Sequence, residues 1–270
     1  MIQDLLPKRF HIEYEEKSPS GEEIAFYLRG REVLVHADGD SLRLPLCREI
    51  DGDFQFLFKI DNEDFYLCKN VASYPADCIF MDINLFRERK EAKYLDYAGI
   101  EAYHLSRWYD NSRFCGHCGH ELVKGAKERS LVCPECGNTV YPRINPCIIV
   151  AVRNGEELLL TRYAGRKSGY ALVAGFMEVG ETPEETVQRE VMEETGLKVK
   201  NIRYYCSQPW GYSESLLLGF TAELDGSPEI TVDKKELSLA LFMNRNEIEV
   251  NYDDFSLTNE LICAFKEGRI

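Results

Sequence analysis

Residues Gly175 to Leu197 read GFMEVGETPEETVQREVMEETGL, and the reading of this stretch decides the fold. Glu190, Glu193 and Glu194 stand at i, i+3 and i+4, positions that share one face of a helix. Two like charges ~4 Å apart repel by ~1 kcal/mol in water and ~4 kcal/mol at the screening of a protein surface. A sequence that gathers carboxylates this way expects a cation. Hard oxygen ligands suit Mg²⁺ or Mn²⁺, which bridge to substrate phosphates. The helix carries its own boundaries: Thr182 is the N-cap, Pro183 the first helical residue, and Glu185 completes a capping box. Gly196 supplies the stop. Upstream, Gly175 and Gly180 permit a tight loop that returns to the helix, and Arg189 can fix a carboxylate in one rotamer. A merely solvated acidic face explains the glutamates. It does not explain the glycines, the capping box and Arg189 at fixed spacing.

The rest of the chain agrees with a globular enzyme. Its 270 residues are enough for one large or two modest domains. A net charge of -14 argues against non-specific binding to nucleic acid or anionic membranes. It leaves a nucleotide substrate open, because a metal offsets local charge. No apolar run approaches the ~20 residues of a membrane span, and MIQDLLPKRFHIEYEE lacks the apolar core of a signal peptide. Of the ten cysteines, four form paired C-x2-C units and six are scattered. That usage fits a reduced, cytoplasmic protein.

Along the chain, an α+β organisation is expected. Residues 1–110 read as a β-rich N-terminal domain with a linking helix, 111–141 as a small metal module, and 142–270 as a second αβ domain. Alternating runs before residue 80 are split by expected turns at Asp38-Gly39 and Asp51-Gly52. Residues 84–110 show helical spacing of Leu85, Leu95, Ala98, Ala102, Leu105 and Tyr109. PCIIVAVR and EELLLTRY read as strands joined at Asn154-Gly155. Further strands are expected near VKNIRYYCSQPW and SLLLGFTAEL, and a last helix near SLTNELICAFKEG.

Cys115-Gly-His-Cys118 and Cys133-Pro-Glu-Cys136 lie fourteen residues apart. Two C-x2-C turns on adjacent hairpins give tetrahedral Zn²⁺ coordination, and a closed Cys₄ site is structural. One structural zinc per chain follows. His117 and His120 read as surface residues, because four thiolates complete the site. Lys124, Lys127 and Arg129 nearby make only a small basic patch.

Gly175, Glu181, Arg189, Glu190, Val191, Glu193, Glu194, Gly196 and Leu197 resemble the Nudix box, G-x5-E-x7-R-E-U-x-E-E-x-G-U with U aliphatic, without departure. The resemblance implies an αβα sandwich with a mixed sheet and hydrolysis of a nucleoside diphosphate linked to another group. Two to three Mg²⁺ or Mn²⁺ ions would be held by Glu190, Glu193, Glu194, the Ala174 carbonyl and Glu236. A metal-oriented water would attack one phosphorus, with Glu193 or Glu236 as general base and Arg189 as an orienting residue.

Ser207-Gln-Pro-Trp-Gly-Tyr-Ser-Glu-Ser215 resembles the SQPWPFPxS array of the NADH pyrophosphatase subfamily. It matches at Ser207, Gln208, Pro209, Trp210 and Ser215 and departs at Gly211, Tyr212 and Ser213. A zinc ribbon before the Nudix domain is a second mark of that subfamily. The resemblance implies NAD(H) as substrate, split to nicotinamide mononucleotide and AMP, with NAD-capped RNA 5′ ends as a second substrate, and a homodimer. It also implies substrate contacts at Glu128, Tyr141, Phe176 and Gln208 through Ser215, the last including Glu214. With two prolines lost, the 207–215 segment reads as a loosened loop at the pocket mouth, and restoring them is expected to preserve activity. The rival readings are a Nudix hydrolase of ADP-ribose or another nucleoside diphosphate derivative, and a non-catalytic nucleotide sensor.

Overall fold

The computed structural model describes residues 1–38, 41–88, 92–165, 169–252 and 254–270. The chain divides into two compact units. One holds Met1, 144–210 and 215–270; the other holds 2–143 and 211–214.

In the first unit the strands run Val199–Trp210, Ser215–Leu224, Asn145–Asn154, Glu157–Tyr163 and Leu237–Asn244 across the sheet. The short strand Val173–Phe176 also pairs with Asn145–Asn154. Asn145–Asn154 and Ser215–Leu224 are parallel, and the remaining pairs are antiparallel, so the sheet is mixed. Strand side chains alternate between faces, and here each face has its own helix. Ile148, Val150 and Val152 pack with Val187 and Val191 of the helix Pro183–Thr195. Ile149 and Ala151 pack with Leu257, Leu261 and Phe265 of the helix Leu257–Lys266. This is the αβα sandwich expected from sequence.

The second unit is β-rich. One sheet orders Phe10–His11, Asp51–Ile60, Glu63–Ser73 and Ile24–Phe26. Another centres on Glu32–Asp38, paired with Leu28–Arg29, Ser41–Arg43 and Cys78–Asp82. The helical segment expected at 84–110 is a short helix Leu85–Glu88 followed by Lys93–Asn111; residues 89–91 lie outside the described residues. Three short strands, Val123–Lys124, Leu131–Val132 and Thr139–Val140, form the ribbon.

The two Asp-Gly expectations fare differently. Gly39 of Asp38-Gly39 lies outside the described residues. Asp51-Gly52 is not a turn, because both residues lie inside the strand Asp51–Ile60. A Cβ on Gly52 would sit 2.8 Å from Cys68 Sγ and 2.9 Å from Lys69 O. Glycine is there for close strand packing, and the turn falls at Asp61, at φ 52°. Among the described residues no helix is long and apolar enough to cross a membrane.

Candidate active site and zinc centre

The helix Pro183–Thr195 forms for the reasons its sequence gives. Glu185 N–H donates to Thr182 Oγ1 at 3.2 Å, and Thr182 N–H donates to Glu185 Oε2 at 2.8 Å. Gly196 ends the helix in the left-handed conformation at φ 71°, with its N–H on Met192 O at 2.9 Å. The helix buries Val187 and Val191 and turns Glu190 and Glu194 inward.

Arg189 organises the carboxylates. Its five N–H donors are all used. Nε and Nη2 grip Glu181 at 2.6 and 2.9 Å, Nη1 reaches Glu190 at 2.7 Å and Glu193 at 3.0 Å, and Nη2 also bonds Phe176 O at 3.0 Å. The paired bonds from Arg189, with the Glu178 N–H, pull the Glu181 carboxyl down to about 2. Glu181 is thus the anchor of Arg189, a role the sequence left unassigned.

Glu194 is the residue in deficit. It is 2% exposed, and its Oε2 has no hydrogen-bond partner among the described residues. Burial first, and then the charges of Glu190, Glu236, Asp233 and Glu193, push its carboxyl from 4.5 up to about 8. Burial also raises Glu190, against the pull of Arg189. A buried, unpartnered carboxylate facing four other acids is the donor set a divalent cation fits. The carboxylates stand more widely spaced than a compact ligand shell. Among the described residues, only two other groups bring three or more His, Cys, Asp or Glu ligand atoms within 4.8 Å of one another. Asp233 belongs to the cluster, since its N–H donates to Glu194 O at 3.0 Å. Sequence reasoning passed over it, although the spacing Asp233-Lys-Lys-Glu236 could have suggested a paired acidic turn.

Gly175 has a role other than the loop flexibility expected of it. A Cβ there would lie 1.9 Å from Glu190 Cδ. The missing side chain makes room for the Glu190 carboxylate against the strand Val173–Phe176. Gly180, at φ 97°, is the glycine that turns the loop. Ala174 is on that same strand, opposite Ile149.

A pH dependence follows. The proton on folded Glu194 leaves near pH 8, against an ordinary 4.5. The folded state therefore holds more protons than the unfolded state between those values, and stability falls as pH rises through that window. Without added divalent cation, melting temperature should decline from about pH 5 to 8. Mg²⁺ should restore it, and Glu194→Gln should flatten the decline. Parallel wild-type and variant curves in thermal melts would refute this.

The segment 207–215 is not a loop. Ser207–Trp210 ends the strand Val199–Trp210, Gly211–Ser213 is one turn of 3₁₀ helix, and Ser215 opens the next strand. Gln208 is fully buried. Its Nε2 donates to Phe255 O at 2.9 Å, and its Oε1 accepts from Leu257 N–H at 2.7 Å. It pins the start of the helix Leu257–Lys266. Trp210 packs edge-on against Phe255 at 5.7 Å. Tyr212 Oη lies 3.4 Å from Ile83 O, and the buried Glu214 accepts from Arg107 Nε at 2.9 Å. Ser213 is exposed and Pro209 half-buried, while Ser215 is buried.

The loosened-loop expectation is also corrected. A Cβ on Gly211 would lie 2.7 Å from Ile100 O, so the glycine admits a close backbone approach. Gly211→Pro should lower stability by ~1–3 kcal/mol, as overpacking does, and should not stiffen a recognition loop. A Gly211→Pro melting temperature equal to or above wild type would refute it.

Of the remaining expected substrate residues, Phe176 and Tyr141 are 53% and 55% exposed, and Tyr141 Oη donates to Glu128 Oε1 at 2.8 Å.

In the ribbon, Cys115, Cys118, Cys133 and Cys136 converge, with Sγ···Sγ distances of 3.4 to 3.7 Å. Zn–S bonds of ~2.3 Å at tetrahedral angles place sulfurs ~3.8 Å apart, so the four thiols fit zinc. The two knuckles repeat one design. Gly119 N–H returns to Cys115 O and Gly137 N–H to Cys133 O, with φ at 79° and 73°. Backbone N–H groups of Cys118 and His117 draw the Cys115 thiol down to about 6. His117 and His120 are exposed.

Comparison with known proteins places this geometry. The NUDIX domain matches residues 143–261, and the NADH pyrophosphatase zinc ribbon domain matches residues 110–141. A Nudix hydrolase from Nitrosomonas europaea superposes on 58% of this chain and 92% of its own with a TM-score of 0.50, at 23% identity, a likeness of fold alone. The sandwich, the box helix and the carboxylate cluster lie within the residues that match the NUDIX domain. The four converging cysteines lie within the residues that match the NADH pyrophosphatase zinc ribbon domain. The NAD-capped RNA hydrolase NudC of Pectobacterium carotovorum subsp. carotovorum (strain PC1) is 50% identical over 134 residues, 49% of this chain and 51% of that protein. The protein of that name from Escherichia coli O1:K1 / APEC is 48% identical over 134 residues, 49% of this chain and 52% of its own. The chain spans about half the length of the curated relatives it matches.

Proposed function

We propose that this protein hydrolyses the pyrophosphate of NAD(H) to nicotinamide mononucleotide and AMP, and removes NAD caps from RNA 5′ ends. The observation that carries the reading is the buried, unpartnered Glu194 carboxylate amid Glu190, Glu193, Asp233 and Glu236, in a chain that also carries a zinc ribbon of the NADH pyrophosphatase type. Glu190, Glu193, Glu194, Glu236 and the Ala174 carbonyl would hold two to three Mg²⁺ or Mn²⁺ ions. Such ions supply charge stabilisation at phosphorus and a water of lowered pKa. The chain's own part is positioning. Arg189, gripping Glu181, orients Glu190 and Glu193, which would hold the cations. The exposed Glu193 or Glu236 takes the proton of the attacking water. By family likeness Phe176 and Tyr141 are each substrate contacts; each ring is exposed, and Glu128 accepts a hydrogen bond from Tyr141. By family likeness Gln208, Pro209, Trp210, Gly211, Tyr212, Ser213, Glu214 and Ser215 are further substrate contacts.

Residues 1–110, 111–141 and 142–270 are assigned as N-terminal, ribbon and Nudix domains. Homodimerisation and a cytoplasmic location belong to the same reading, the latter resting on the six cysteines outside the ribbon, none in a disulfide. Gly211, Tyr212 and Ser213, which replace the subfamily's Pro, Phe and Pro, favour one rival, a hydrolase of ADP-ribose. Side-by-side turnover of NADH, NAD, ADP-ribose and NAD-capped RNA with Mg²⁺ or Mn²⁺ separates the two. NADH or capped RNA should have the highest kcat/KM; a higher value for ADP-ribose overturns the proposal.

A further inference from the structure

We propose that His36, Asp77 and Cys78 form a second transition-metal site, of the Zn²⁺ class, in the β-rich unit and separate from the ribbon. The backbone brings them together. His36 and Cys78 are cross-strand partners between Glu32–Asp38 and Cys78–Asp82, and Asp77 precedes Cys78. One donor atom from each lies within 4.8 Å of the others. Zinc bonds of ~2.0–2.3 Å at tetrahedral angles separate ligand atoms by ~3.3–3.8 Å. The three donors thus need to close by about 1.5 Å at most.

The surroundings supply what a metal-bound imidazole needs. A ligating histidine commonly gives its other ring N–H to a carboxylate, which fixes its tautomer and orientation. Here Nδ1 is 2.8 Å from Asp77 Oδ2, and Nε2 is 3.2 Å from Glu49 Oε2. Glu49 is itself fixed, by Arg43 through two bonds of 2.7 and 2.8 Å and by Leu46 N–H at 2.8 Å. His36 is 4% and Cys78 8% exposed, while Asp77 is exposed. Two donors are therefore dry and the third leaves an approach from solvent. Imidazole, thiolate and a single carboxylate select Zn²⁺ over Mg²⁺ or Ca²⁺. Charge agrees: the anions of Asp77, Glu49 and a Cys78 thiolate against Arg43 leave a deficit that one divalent cation cancels. Coordination deprotonates a ligating thiol. The competing explanation is an imidazolium held between two carboxylates, which gives Cys78 no part.

The test is zinc stoichiometry in the full chain, reduced and equilibrated with micromolar Zn²⁺, with millimolar Mg²⁺ present to occupy the box carboxylates. Elemental analysis should find two zinc ions per chain, falling to one in Cys78→Ser and in His36→Gln. Glu49→Gln should weaken the second ion ~10- to 100-fold. One zinc in the unaltered chain, or two that persist in Cys78→Ser, overturns the proposal. Should these variants fail to fold, Co²⁺ titration of the unaltered chain decides. Two steps with thiolate charge-transfer absorption support the site, and a single step overturns it.

Discussion

Replacing Glu194 with glutamine is expected to lower NADH turnover by at least ~100-fold while leaving the fold as stable as before or more so. The substitution keeps the volume of a side chain that is 2% exposed and removes only its charge. That charge is costly in the folded protein, because burial and four neighbouring acids oppose it. Removing it relieves repulsion and desolvation. The same charge is what a divalent cation would pair with, and losing metal positioning or general-base function costs ~10²-fold or more. Glu193→Gln should share the loss of turnover. The exposed Glu193 accepts one bond from Arg189, so its removal should barely change melting. Steady-state kinetics beside thermal melts give the answer. Near wild-type turnover in both variants would sink the metal cluster, and loss of activity with matching loss of stability would point to a structural role.

The second large effect is expected at the ribbon. Cys133→Ser should remove one zinc ion per chain and unfold residues around the knuckles. The ribbon buries Leu122 and Leu131 beside Cys115 and Cys133 and little else that is apolar. Its strands are two residues long. Such a segment cannot offset its conformational entropy by apolar burial. In small zinc modules the metal supplies apparent free energy on the order of 10–16 kcal/mol, more than a small domain's whole stability. Elemental analysis and limited proteolysis of fresh, reduced protein measure both consequences. Unchanged zinc content with an intact ribbon would show that the four thiols do not hold the ion. The Nudix sheet, with its own core on both faces, should keep its β signal in the variant.

Whatever depends on local spacing was legible in the order of residues alone. The box helix, with its Thr182 cap, its Glu185 return bond and its Gly196 stop, follows from neighbours within four residues. So does the placing of Glu190, Glu193 and Glu194 on one face. The two C-x2-C knuckles are local too, because each closes on itself through a glycine at positive φ. Tertiary structure decided what depends on who arrives from far away. Gly175 reads as a flexible turn until the Glu190 carboxylate is found where its Cβ would be. That Gln208 holds Phe255 and Leu257 at the two ends of its amide shows only in the fold. Gly211 reads as a lost proline until Ile100 closes over it. Asp233 joins the acidic cluster, and Asp77 and Cys78 meet His36, only through chain crossings dozens of residues long. A side chain's chemistry is written at its own position, but its role is set by the partners that burial leaves it, and packing of distant segments chooses those partners.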